Sequence, residues 1–150
     1  MIVNQAAICT LQPHNNKIKY LPTFSGISNL MSFTEITVTE LATKLADLVG
    51  GASLEENRQY QFVDVREQRE LELAALPKFI HLPLSEHNEW SLQIHQKLDK
   101  DVETIVLCHH GIRSAQMCQW LIAQGFTQVS NVIGGIDAYS YQVDASLPKY

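Results

Sequence analysis

The residues with the clearest capacity for chemistry are Cys108-His109-His110-Gly111-Ile112-Arg113-Ser114. They follow an apolar, β-prone run from Thr104 to Leu107 and precede a stretch with Met117, Trp120 and Leu121 at helical spacing. A loop that passes straight from a strand into a helix aims backbone N–H groups inward, and the positive end of the helix dipole favours an anion or a thiolate there. Cys108 is therefore a candidate nucleophile, because the thiolate is the reactive form of cysteine. Arg113 adds a cation that favours the same ionised form. Gly111 removes the Cβ where the loop must turn tightly or admit a substrate, and Ser114 stands where it can cap the following helix. His109 and His110 can steer anions or relay protons, with adjacent rings in a tight loop expected to point in different directions, one toward solvent. A lone cysteine reads most simply as a buried, inert thiol. Gly111, Arg113 and Ser114 at these offsets after a strand turn the reading toward a site.

Composition narrows what such a site can serve. The chain has 150 residues, 45% of them hydrophobic, which suits one globular domain with a real core. Eleven Lys and Arg against 16 Asp and Glu leave a net charge of −5, so the whole-molecule field repels phosphate backbones and anionic lipid. No nucleic acid and no membrane partner is expected, and the apolar runs are far shorter than the roughly 18 residues of a membrane span. Three Cys without paired spacing fit a reducing compartment, and a cytoplasmic location is expected. No metal site is expected, since Cys108, His109 and His110 are adjacent rather than spaced as zinc ligands. Cys118 has the chemistry to resolve an oxidised or persulfidated Cys108, but reads more simply as a packing residue beside Leu121, and Cys9 reads as incidental.

The elements that must position the loop follow from periodicity. Every Asp and Glu falls at Glu35 or beyond, so residues 1–33 are expected to form a loose N-terminal extension and 34–150 the folded domain. Thr39 can cap a helix carrying Leu41, Leu45 and Leu48 that Gly50-Gly51 stops. Tyr60 to Val65 reads as a strand, and Glu67 to Leu76 as a helix ended by Pro77. Phe79 to Leu82 is a further short strand, and Ser85 can cap a helix whose core face is Trp90, Ile94 and Leu98. After the active loop come a helix from Ser114 to Gln124, a strand from Gln128 to Val132 and a turn at Gly134-Gly135. This alternation predicts an α/β fold, a mainly parallel sheet flanked by helices on both faces, with ligands beyond the carboxyl ends of the strands.

The loop resembles the active loop of the rhodanese family of sulfurtransferases. Val63-Asp64-Val65-Arg66-Glu67 resembles the family's strand ending in Asp and Arg, and Gly134-Gly135-Ile136-Asp137-Ala138-Tyr139 its late glycine pair followed by an aromatic. The likeness runs from about Glu35 to Tyr150. Two segments depart from the family pattern: Ala74-Ala75-Leu76-Pro77-Lys78 keeps a proline but lacks the family's glycines and histidine, and Tyr139 stands where Trp is common. Neither touches Cys108 or Arg113.

The resemblance implies covalent sulfur transfer, in which the Cys108 thiolate takes a sulfur from a small anionic donor such as thiosulfate and carries it as a persulfide. A thiophilic acceptor, which can be a sulfur-accepting protein, receives it, and no cofactor is needed. His109, His110, Gly111, Ile112 and Arg113 would bind the donor. Asp64 would brace the loop from the neighbouring strand, with Ser114 and Arg66 in support, although a surface pair of Arg66 with Glu67 or Glu70 reads equally well. Two alternatives remain: a non-catalytic or protein-to-protein relay module, and a phosphatase or arsenate reductase. The second pair of enzymes resembles this chain less, because their loops place five residues between Cys and Arg and here only four intervene.

Overall fold

Short runs of apolar residues that alternate direction can pack on both sides only if helices cover both faces of the sheet. The computed structural model describes residues 32–50 and 60–150, and there this is the arrangement. Five strands, β1 (Thr34–Ile36), β2 (Tyr60–Asp64), β3 (Phe79–His81), β4 (Glu103–Leu107) and β5 (Val129–Val132), lie in the order β1-β5-β4-β2-β3. Every adjacent pair is parallel. The helices are α1 (Val38–Gly50), α2 (Gln68–Leu73), α3 (His87–Trp90), α4 (Ile94–Lys97), α5 (Ile112–Ala123) and α6 (Gly135–Gln142). Phe62, Ile105, Leu107 and Val132 turn one way and pack with Leu41 of α1 and Ile136 and Tyr139 of α6. Val63, Val106 and Val129 turn the other way onto Trp90, Ile94, Met117 and Leu121.

Several elements differ from the sequence-based expectation, each for a local reason. The edge strand β1 is too short and polar to register as a periodic run, and it forms because β5 supplies its ladder, with Glu35 opposite Asn131. Thr37, not Thr39, caps α1: its Oγ1 accepts the Glu40 N–H at 3.2 Å while Glu40 Oε2 accepts the Thr37 N–H at 2.7 Å. The helix expected after Ser85 is broken into α3 and α4 by 3₁₀ turns at Leu84–Glu86 and Ser91–Gln93. Ser85 caps nothing; its hydroxyl donates to Glu67 Oε2 at 2.5 Å. Trp90, Ile94 and Leu98 are nonetheless all buried, since a four-residue spacing keeps one face inward through either kind of helical turn. The extension expected over residues 1–33 lies, apart from Ser32 and Phe33, outside the described residues, as do Cys9 and Gly51.

Candidate active site

The site is built where β4 ends and α5 begins, beyond the carboxyl edge of the sheet as the strand pattern predicts. Cys108 is 1% exposed, and its Sγ accepts the Gly111 N–H at 3.1 Å and the Ser114 hydroxyl at 3.2 Å. Two donors converging on one sulfur stabilise negative charge on it. The N–H groups of the first turn of α5 have no partner within the helix and face the same region. Gly111 makes this possible. It stands at φ 93°, a left-handed conformation, and a Cβ there would lie 3.0 Å from the Val132 carbonyl oxygen and 3.1 Å from the Gly134 nitrogen. Gly111 is itself the N-cap of α5, and Ser114 is a fully buried residue inside the helix. The capping role read from the sequence for Ser114 is thus replaced by a bond to the thiol, because its position in the first turn points the side chain back to the loop.

The glycine pair holds the loop from the other side. The Ile136 N–H donates to the Cys108 carbonyl at 2.9 Å and the Asp137 N–H to the His109 carbonyl at 3.1 Å. This approach is so close that a Cβ on Gly135 would sit 2.2 Å from the His109 carbonyl oxygen and 2.3 Å from that of Cys108. Backbone cannot rotate away as a side chain can. Gly135→Ala is therefore expected to destabilise the fold by roughly 1–3 kcal/mol, read as a fall of about 2–12 °C in thermal midpoint. Unchanged stability would show that α6 does not clamp the loop.

Arg113 does not stand free over the thiol. Its guanidinium grips Glu70 with Nη1 on Oε2 at 2.7 Å and Nη2 on Oε1 at 2.6 Å. From the sequence Glu70 reads only as a candidate surface partner of Arg66; the signal for its place in the site is its position three residues after Glu67, whose N–H it accepts at 2.9 Å in the first turn of α2. The bond to Arg113 pulls the Glu70 carboxyl down to about 2, and the same bond pushes Arg113 higher still. Since the folded-state value is depressed, the ion pair contributes its full stability above pH about 4.5, the ordinary carboxyl value, and loses it as pH falls through about 2. Wild type is thus expected to melt above Glu70→Gln at pH 6, with the gap closing between pH about 4.5 and about 2. A gap that is constant with pH would contradict the pairing.

Asp64 and Arg66, at the end of β2, form a buried pair rather than the surface pair with Glu67 or Glu70 considered above. Arg66 is 0% and Asp64 2% exposed, and Nη2 meets Oδ2 at 2.6 Å while Nε bridges both carboxylate oxygens at 3.0 and 3.1 Å. Burial works against the Arg66 charge, and the Asp64 bonds outweigh it. The guanidinium also donates to the Ala74 carbonyl at 3.0 Å and to the Tyr150 hydroxyl. Tyr150, the second residue missed from the sequence, stacks on His109 with ring centroids 4.4 Å apart, so the pair supports the loop through an aromatic ring. Its value was hidden because its partners lie 84 and 41 positions away in the chain.

The histidines depart from expectation. Their rings do not diverge but stack, 4.0 Å apart and 19° from parallel. Burial and the neighbouring His110 hold His109 below its ordinary value, while His110 faces solvent with Nδ1 3.7 Å from Asp137. The nitrogens of His109 and His110 and a carboxylate oxygen of Asp137 lie within 4.8 Å of one another. Near-parallel rings direct their in-plane lone pairs side by side rather than to one point, so this trio is poorly shaped for a tetrahedral ion. Ile112 is exposed at the loop rim. Cys118 is buried, and burial pushes its thiol up to about 12, which suits packing rather than chemistry.

Parallel strands, a cysteine cradle at the β4–α5 junction and a glycine-pair clamp define a class of α/β domain. The sequence model of the rhodanese-like domain family matches residues 50–142, and the chain belongs to that family. It is 44% identical over 116 residues to a rhodanese-like/PpiC domain-containing protein, chloroplastic, of Arabidopsis thaliana, an alignment covering 77% of this chain and 37% of that protein. The chain thus spans little more than a third of that relative. It is 34% identical over 86 residues to a thiosulfate sulfurtransferase of Coxiella burnetii, covering 57% of this chain and 77% of the relative. Among solved structures it is similar to a rhodanese-like domain protein from Staphylococcus aureus, at TM-score 0.57 and 27% identity over 79% of this chain and 99% of that one. Among the described residues no helix is long and apolar enough to cross a membrane.

Proposed function

We propose that the protein is a sulfurtransferase that works through a Cys108 persulfide. The observation that carries this reading is the convergence of the Gly111 N–H and the Ser114 hydroxyl on Sγ. The thiolate attacks the outer sulfur of a donor such as thiosulfate; the donor's S–S bond breaks, and sulfite leaves with the bonding electrons. Cys108 then carries an anionic persulfide, whose terminal sulfur is taken by cyanide or an acceptor thiolate as the Cys108 thiolate departs. Gly111, Ser114 and the first-turn N–H groups hold negative charge in each state. His109, His110, Gly111, Ile112 and Arg113 line the donor's approach, and Asp64 and Arg66 act as supports. Each step is a displacement at sulfur, so the scheme calls for no cofactor. A thiolate cycle suits a reducing compartment, and we place the protein in the cytoplasm.

Thiosulfate followed by cyanide, with intact mass and thiocyanate read together, tests the proposal. Support is a covalent gain of about 32 Da and steady thiocyanate release; no adduct from any sulfane donor overturns it. Ser114→Ala is expected to slow turnover about tenfold, the effect of losing one hydrogen bond to a charged sulfur. One observation favours the relay reading beside this: Arg113 is matched by Glu70, which leaves little free positive charge to recruit a small anion. Slow thiosulfate turnover with fast transfer from a protein persulfide would assign the relay.

A further inference from the structure

A groove of about 420 Å³ lies beside the catalytic loop, between α5 and the strands β1 and β5. Its origin is topological. Among the described residues β1 is an edge strand paired only with β5, and α5 packs on β4 and β5, so no described helix covers the α5 side of β1. His110 and Gly111 of the active loop form part of its wall, whereas Cys108 does not line it. It shares His110, Gly111 and Ile112 with the loop but does not include the thiol.

Its chemistry is specific. Asn131 lies in the groove, 3% exposed, and its Oδ1 has no hydrogen-bond partner among the described residues. A buried amide without a partner is costly, and a ligand that donates a hydrogen bond would remove that cost. Glu35, opposite Asn131 in the β1–β5 ladder, brings an exposed carboxylate that pairs with no cation among the described residues. Ile112 and Ile133, 71% and 47% exposed, supply apolar walls. The exposed Glu35 carboxylate disfavours an anion and favours a cation at its end of the groove. The fitting ligand has an apolar stem and a cationic hydrogen-bond donor at its end, which is a lysine side chain.

We propose that this groove seats a lysine of a protein that exchanges sulfur with Cys108, a role for the partner that rests on the sulfurtransferase reading. The ammonium meets Glu35 and Asn131 while the stem lies along Ile112 and Ile133. Gly111, whose N–H holds Sγ, is in the same wall, so docking brings the partner to the edge of the loop.

Titration of the ¹⁵N-labelled full chain with Nα-acetyl-lysine methylamide tests the groove without any sulfur chemistry. Saturable shifts at the amides of Gly111, Ile112, Ile133 and Gly134 and at the Asn131 side chain are expected. The Nε-acetylated probe should produce none, and Glu35→Gln should weaken binding about fivefold, the scale of a partly exposed ion pair. Glu35→Gln should leave thiosulfate turnover unchanged. Absent shifts, equal shifts with the neutral probe, or binding unaffected by Glu35→Gln would each overturn the groove assignment and leave the sulfurtransferase reading standing. Absence of a Cys108 persulfide would instead overturn the partner's role while leaving lysine binding intact.

Discussion

Cys108→Ser is expected to remove both the adduct of about 32 Da and thiocyanate formation, lowering turnover about 10,000-fold or more. The hydroxyl has the right size for the cradle, so Gly111 and Ser114 keep their places and the fold is retained. What is lost is the sulfur atom that can attack a sulfane sulfur and leave again. Matched circular dichroism and thermal midpoints for the two proteins separate this chemical loss from a structural one. Retained thiocyanate release by the variant would move the nucleophile elsewhere, and Cys118, whose thiol is pushed up to about 12, is a poor candidate.

Asp64→Ala is expected to have the largest effect on stability, about 3–5 kcal/mol, because it strands a fully buried guanidinium without its counter-charge. At this chain length that is a fall of about 10 °C or more in thermal midpoint. Asp64→Leu combined with Arg66→Met should cost less than Asp64→Ala alone, since removing both charges avoids the unpaired one. The double variant still loses the Arg66 bonds to Ala74 and Tyr150, so it should remain below wild type. Urea unfolding of the three variants measures the order. An Asp64→Ala protein as stable as wild type would mean the pair is solvated rather than buried. Asp64 precedes Val65, whose N–H donates to the Leu107 carbonyl at 3.0 Å, so the damage should reach the strand that carries Cys108.

Local chemistry made the catalytic end of the molecule legible from sequence. A strand run, a Cys, a glycine where φ must be positive and an amphipathic helix lie consecutively, so the loop from Cys108 to Ser114 and the parallel α/β fold could be read from neighbours in the chain. The clamp at Gly134-Gly135 was visible as a turn, but not as the partner of Cys108 and His109, since that depends on α6 folding back against β4. Ser114 reads as a cap from sequence because its type and position suit either role, and only the direction of its side chain, toward Sγ, separates them.

Consecutive residues thus carried the nucleophile, its cradle and the fold class, because helix and strand periodicities and turn preferences act over a few residues. Pairing of charges was settled in three dimensions. Arg113 has acidic residues on many elements to choose from, and it takes Glu70, 43 positions away, because α2 and α5 follow the adjacent parallel strands β2 and β4 and so begin near each other at the carboxyl edge of the sheet. Arg66 turns inward to Asp64 rather than outward to Glu67 for the same reason: burial at the strand end penalises an unpaired charge, and the carboxylate two residues back is the one that follows it into the core.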